Sequence, residues 1–404
     1  MDNRVSTQYG SQGQLGLPQE ETAYAVAIAH TQLSLDVQER FYQAFLTPSA
    51  IWHALPDALM PHFYQRPAFE RFIAVRQQLN PQALLEQYDT AGIHVITKFD
   101  SQYPERLKVI HQAPPVLFVR GNVDLLRYDA GLSVVGTRKV TLYGHQMTQH
   151  LVEGSAVYAP SIVSGLAAGV DTIAHETALA NNLPTVAVFG TGLDIIFPKS
   201  NLKLAQAILD SGNGLLVTEL PLGTLPRQFN FPNRNRIIAG LTMGTLVIEA
   251  PERSGALITA RVALEEGRSV MTIAGNNFSP NAQGCHRLIQ QGASLITSAD
   301  DIANVMNWVR QPKRPPVKPA PSEMPFVETI HSSQETVPDP QKLSTLAPDQ
   351  RAVFEVISFD PIPRETIELS CESLSVSAIQ QALTMLELQG LIRALPGNQF
   401  SRIP

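Results

Sequence analysis

Eight short apolar runs recur through the middle of the chain: "VLFVRG", "LSVVG", "SIVSG", "TVAVFG", "LLVTE", "GTLVIEA", "SVMTIAG" and "ASLIT". Each is a few residues rich in Val, Ile and Leu, and stretches with helical apolar spacing separate them. A strand that is apolar on consecutive residues has both faces buried, which requires helices on each side of its sheet. The pattern therefore predicts a Rossmann-like α/β domain over residues 91–308, with a doubly wound, mostly parallel sheet.

Ligands of such sheets bind beyond the carboxyl ends of the strands. There, "SVVGTRK" supplies Gly136, Thr137, Arg138 and Lys139, and "IVSGLAAGVDTIAH" supplies Ser164, Gly165, Gly169, Asp171 and His175. The third run, "VAVFGTGLD", supplies Gly190, Gly192 and Asp194. Glycines let backbone N–H groups approach an anion and helix N-termini add their dipoles, so this edge reads as a phosphate cradle. The G-x-G-x-x-G fingerprint of NAD and FAD sites is absent, as is the G-x-x-x-x-G-K-[ST] loop for ATP, so no cofactor is expected.

The stretch "FNFPNRNRIIAGLT", Phe229 to Thr242, places Arg234 and Arg236 in what reads as the first turn of a helix opened by Pro232. That helix end is partly positive, so a cation there calls for an anion that satisfies both. Water or an acidic neighbour is the other explanation. Residues two apart on a helix point about 200° from each other, so one arginine is expected to contact phosphate while the other braces a loop. With Arg138, Lys139 and the Lys199 of "FPKSN", they form a row of cations that suits a run of phosphates.

Around this domain the pattern changes. Residues 21–90 carry helical periodicity in "AYAVAIAHTQLS", "VQERFYQAFL", "AIWHALPDAL" and "FERFIAVRQQL", which predicts a small helical bundle, of the SAM-like kind that the family resemblance described below implies. Its His30, His53 and His62 read as packing or surface residues. Residues 1–20 read as a disordered leader lacking the apolar stretch of a signal peptide, and no long apolar run follows, so a cytoplasmic protein without a membrane segment is expected. The two cysteines, Cys285 and Cys371, are far apart, which fits reduced thiols and no metal site. A net charge of −6 excludes a uniformly basic coat, so any cationic groove must be gathered by folding.

The proline-rich segment Gln311 to Lys342 marks a disordered linker, placed at 309–344. After it, residues 345–404 follow the outline of a C-terminal winged-helix domain, with a hairpin turning at "PGN". Asp349, Glu355, Asp360, Glu365, Glu368, Glu372 and Glu387 outnumber Arg351, Arg364, Arg393 and Arg402 there. That balance favours a protein-contact or weakly DNA-assisting module over duplex binding.

The ordered set "SVVGTRK", "SGLAAGVDTIAH", "GTGLDIIFPKSN", "TELPLGT", "FPNRNRIIAGL", "VIEAPERSGALITARVALEEGRSV" and "GCHRLIQQGA" closely resembles the DNA-processing protein A family, also called Smf. The resemblance implies a cytoplasmic homodimer that binds and protects single-stranded DNA and loads the RecA recombinase onto it during natural transformation, without metal or nucleotide. Carried over by position, the DNA-contacting candidates are Arg138, Lys199 and the run Arg234, Asn235 and Arg236. The wider candidate set adds Gly136, Lys139, Ser164, Gly165, Gly169, Gly190 and Gly192, with Ser254 and Gly255 of "SGALITA". The chain departs from the family pattern at "IAG", Ile273 to Gly275, where V-P-G is common, and at His286, where asparagine is.

Two readings compete with a non-enzymatic mediator. One is a Rossmann-fold nucleoside-monophosphate hydrolase of the lonely-guy type, with Glu249 in "EAPERSGALITA" as base; its glycine run is missing. The other is a winged-helix transcription regulator, which the acidic tail weakens.

Overall fold

A computed structural model describes residues 19–311 and, in the tail, 347–357, 362–364, 367–368, 371, 374–389, 391–395 and 399–402. The chain divides into two compact units, one ending at Phe326 and the other beginning at Val327. The expected leader and linker lie outside the described residues, apart from 19–20 and 309–311. So does the "PGN" turn.

The first unit opens with six helices: α1 Gln19–His30, α2 Leu35–Ala44, α3 Pro48–His53, α4 Pro56–Leu59, α5 Arg66–Gln78 and α6 Pro81–Thr90. Local sequence sets their starts. The Thr47 side chain accepts from Ala50 N ahead of Pro48, and Asn80 accepts from Ala83 N ahead of Pro81, each a side-chain cap followed by a proline whose missing N–H costs nothing. Ile28, Phe41, Ile51, Leu59 and Phe72 close the bundle's own core.

Nine strands follow: β1 His94–Thr97, β2 Val116–Gly121, β3 Gly131–Val135, β4 Ser161–Ser164, β5 Thr185–Val188, β6 Gly214–Thr218, β7 Gly244–Val247, β8 Ser269–Thr272 and β9 Ser294–Leu295. They form one sheet in the order β1-β2-β6-β5-β4-β3-β7-β8-β9. The chain steps outward from β3 to β6, then returns to lay β7 beside β3, so the order reverses there and opens a crevice at the carboxyl edge. The connecting helices are α7 Glu105–Lys108, α8 Leu142–Gly154, α9 Val170–Ala180, α10 Leu202–Asp210, α11 Asn230–Gly240, α12 Gly255–Glu265, α13 Gln283–Gln290 and α14 Ala299–Met306.

Leu132 and Val134 pack with α8, α9 and α14. Val135, pointing the other way, packs with α11 and α12. Alternation between two separate clusters is what a strand covered on both faces requires.

All eight apolar runs are strands, and β3 to β9 are mutually parallel. Two features depart from the sequence reading. The strand β1 was not among the expected ones, and β2 runs antiparallel to both of its neighbours, β1 and β6.

The bundle is built onto this sheet. Tyr88 of α6 stacks on Phe118 of β2, with ring centroids 4.6 Å apart and planes inclined by 17°. Val26, Ala27, Leu84 and Leu85 join Phe118, Phe189, Ile208 and Leu216 in one buried cluster. The bundle thus has a core of its own and shares a second cluster with the sheet.

In the second unit, helices Pro348–Val356 and Val376–Leu388 pack through Val353, Phe354, Ile379, Leu383 and Leu386. Strand Gln399–Arg402 pairs antiparallel with Ile392–Leu395 and with Ile362–Pro363, completing a winged helix.

Candidate nucleic-acid interface

The carboxyl edge of the sheet carries three exposed cations. Arg138 and Lys139 follow β3, and Lys199 opens a short 3-10 turn beyond β5. Arg138 lies against an aromatic pair. The guanidinium carbon of Arg138 lies 5.6 Å from the centre of the Phe231 ring, and that ring lies 5.4 Å from Phe197, two residues before Lys199. Phe197 is 40% exposed. Neither phenylalanine stood out in the sequence, although each sits in a Phe-Pro dipeptide, Phe197 in an edge loop and Phe231 in the first turn of α11.

The two arginines of "RNR" are placed differently from the sequence expectation. Helix α11 begins at Asn230, so Arg234 and Arg236 are its fifth and seventh residues and lie beyond the first turn. Both are buried. Arg234 donates to the carbonyls of Gly165, at 2.7 Å, and of Val188, clamping the ends of β4 and β5 together. Burial lowers the pKa of its guanidinium to about 10, a fall that Asp171 opposes and Arg138 reinforces, so it stays charged near neutral pH. Arg236 leaves the helix in another direction. It forms a two-pronged ion pair with Glu219 at 2.7 and 2.6 Å, and its Nε donates to Gln112 O at 3.0 Å. Its charge is spent inside the protein, which corrects its assignment to the DNA-contacting set.

Several of the candidate glycines are closely packed. A Cβ on Gly165 would stand 2.5 Å from the Arg234 guanidinium, and one on Gly190 would stand 2.8 Å from the Phe231 ring. The position that a side chain would take at each is filled by protein. Gly136 and Gly192 are likewise closed, by Val170 and by Asp194 with the Pro221 carbonyl. Gly169, at φ +83°, turns the chain into α9 against the Thr137 and Arg138 backbone. Ser164 is buried and donates to Val134 O at 2.6 Å. These residues shape the edge so that Arg138 and Phe231 sit on it.

Asn235 is buried and donates to Gly255 O at 3.2 Å, tying α11 to the start of α12. Ser254 caps that helix by accepting from Ala256 N, and Gly255 is exposed with open space around it.

Glu249 lines a cavity of about 410 Å³ with Tyr143 and Cys285. It is buried, and its two oxygens accept from Thr141 N at 2.9 Å and Thr141 Oγ1 at 2.6 Å. Its Thr141 bonds give it a structural task at the start of α8. The two departures from the family pattern meet close by: His286 Nε2 lies 3.1 Å from Gly275 O and 3.4 Å from Gly275 N.

Beneath the edge, Asp171 accepts from Gly165 N at 3.1 Å and Ala167 N at 3.3 Å. Burial raises its pKa, and the nearby Arg234 works against that rise. Among the described residues no three His, Cys, Asp or Glu side chains gather as metal ligands. No described helix is long and apolar enough to cross a membrane.

Residues 94–307 match the family described as DNA recombination-mediator protein A, and residues 337–398 match the DprA winged helix domain. Protein Smf of Synechocystis is 32% identical over 377 residues, which cover 90% of this chain and 94% of that protein. DNA processing protein DprA of Streptococcus pneumoniae is 42% identical over 233 residues, covering 55% of this chain and 81% of that protein. The X-ray structure of DNA processing protein A from Streptococcus pneumoniae matches with a TM-score of 0.59 at 35% identity, covering 70% of this chain and 95% of that one.

Proposed function

The chain belongs to the DNA recombination-mediator protein A family, and on that premise we propose that it binds single-stranded DNA along the carboxyl edge of its sheet. The observation that carries the reading is an exposed cation paired with aromatic rings, Arg138 over Phe231 and that ring against Phe197, with exposed Lys199 two residues further along the chain. Phosphates track cations without regard to base, and unpaired bases stack on aromatic faces. A duplex hides those faces. Lys139 adds a third exposed charge, and Arg234 adds positive potential from below.

Within this reading the protein acts in the cytoplasm as a homodimer that protects incoming single strands and hands them to the RecA recombinase during natural transformation. It works by binding alone, with no catalytic residue. Gly255 and the capped start of α12 offer backbone N–H groups to a further phosphate. Binding to single-stranded and duplex oligonucleotides of one sequence, compared at matched salt, tests the proposal. Preference for the single strand, weakened by Arg138→Ala, is the expected result; equal or stronger duplex binding overturns it.

A further inference from the structure

A cavity of about 810 Å³ opens between the helical bundle and the sheet edge. The bundle contributes Arg71 of α5 and Gln38 of α2, and the α/β part contributes Arg227, Phe229, Asn233 and Arg234. Its volume falls in the ~300–1,000 Å³ range of pockets that enclose a small organic ligand. Arg234 lines the cavity and lies 5.9 Å from the centre of the Phe231 ring, so the cavity adjoins the edge that carries Arg138 and Phe231.

The charges of this cavity are unbalanced. Of the two carboxylates on its wall, Glu219 is paired with Arg236, while Asp36 accepts only the uncharged Gln112 amide at 2.6 Å, so one carboxylate stands against Arg71 and Arg227. Arg71 and Arg227 are exposed, and among the described residues their guanidinium groups have no ion pair, hydrogen bond or ring contact. Two cations against one carboxylate, contributed by the bundle and by the α/β part, leave the cavity net positive, which suits an anion. Phe229, 59% exposed, offers a stacking face beside them, and the side chain of Asn233 offers a donor and an acceptor to a base edge.

We propose that this cavity takes in unpaired nucleotides of the bound strand, with Arg71 and Arg227 on their phosphates, so that the bundle is part of the DNA interface. The proposal rests on the single-strand reading above. The strand crosses the edge at Lys199 and Arg138, then enters the cavity past Phe229, and a binding site confined to the α/β part is extended by the nucleotides that the bundle holds.

The test uses the full chain with Arg71→Ala, Arg227→Ala and Arg71→Lys, an oligothymidylate of about 20 nucleotides and one of about 6, over a salt series. For the long oligomer, each alanine variant should lose roughly threefold or more in affinity and about 0.7 in salt slope, while Arg71→Lys keeps the slope. The short oligomer, held at the edge, should bind as in the parent. If Arg138→Ala weakens binding but both alanine variants match the parent on the long oligomer, the cavity proposal fails and the edge stands. A parent chain that binds neither oligomer overturns the single-strand reading itself. Thymidine monophosphate binding that is lost in Arg71→Ala, with long-oligomer affinity unchanged, makes the cavity a free-nucleotide site and also overturns the proposal.

Discussion

Arg236 and Glu219 meet end to end, two guanidinium nitrogens on two carboxylate oxygens at 2.7 and 2.6 Å, with side chains only 8% and 11% exposed. Removing one partner strands a buried charge. Arg236→Ala should therefore destabilise the fold by about 3–5 kcal/mol, whereas Arg236→Met combined with Glu219→Leu should recover most of that loss. Urea unfolding of the three proteins checks this.

Exposed Arg138 and Lys199 should behave in the opposite way. Alanine at either position should leave the melting temperature within about a degree or two and weaken single-strand binding about two- to tenfold, as loss of one partly screened charge-assisted contact does. The slope of log affinity against log salt should fall by about 0.7 for each. Fluorescence anisotropy over a salt series reads both quantities, and unchanged slopes would remove these residues from the interface.

Two histidines, His30 half-buried and His175 fully buried, make stability depend on pH. Burial lowers the pKa of His30 to about 4, while burial together with Arg234 lowers that of His175 to about 3, against an ordinary 6.5. In the unfolded chain both take up protons as pH falls below 6.5; in the folded chain they do not until much lower. Their contribution is intact above pH 6.5 and drains away as pH falls toward 4, by up to about 1.4 kcal/mol per pH unit for each. Asp171, with its pKa raised by burial, opposes the fall. Thermal melts between pH 7 and 4.5 should show a steeper decline for the parent than for His30→Gln.

Glu249 should prove structural. Glu249→Gln replaces one of the two acceptors that hold Thr141 with a donor and should cost about 1–2 kcal/mol in denaturant unfolding. Incubation with nucleoside monophosphates should release no free base from either protein. Turnover that this substitution abolishes would favour the hydrolase reading.

Much of the fold was legible because continuous apolar runs between glycines have few explanations other than a covered parallel strand. Strand β1, His94–Thr97, escaped because it is a short edge strand with an exposed residue, and nothing in "VLFVRG" encodes that β2 runs antiparallel. The site was less legible. Arginines read as surface residues, yet Arg234 is buried because two strand-end carbonyls, Gly165 and Val188, accept its protons. Glu219, the partner of Arg236, lies seventeen residues earlier in a loop that no periodicity links to α11. Likewise, a glycine's sequence does not say whether the space it leaves belongs to an anion or, as at Gly190, to a phenylalanine ring.

The stacking of Tyr88 on Phe118, within a cluster that reaches Leu216, sets an order of events during synthesis. The bundle leaves the ribosome first, but the surface that covers α1 and α6 is finished only when β6 emerges. At ~5–20 residues per second the nascent bundle carries a bare apolar face for about ten seconds. That interval is when the newborn chain depends most on a chaperone's cover, and substitutions that weaken α6 should lower the yield of soluble protein more than the stability of what does fold.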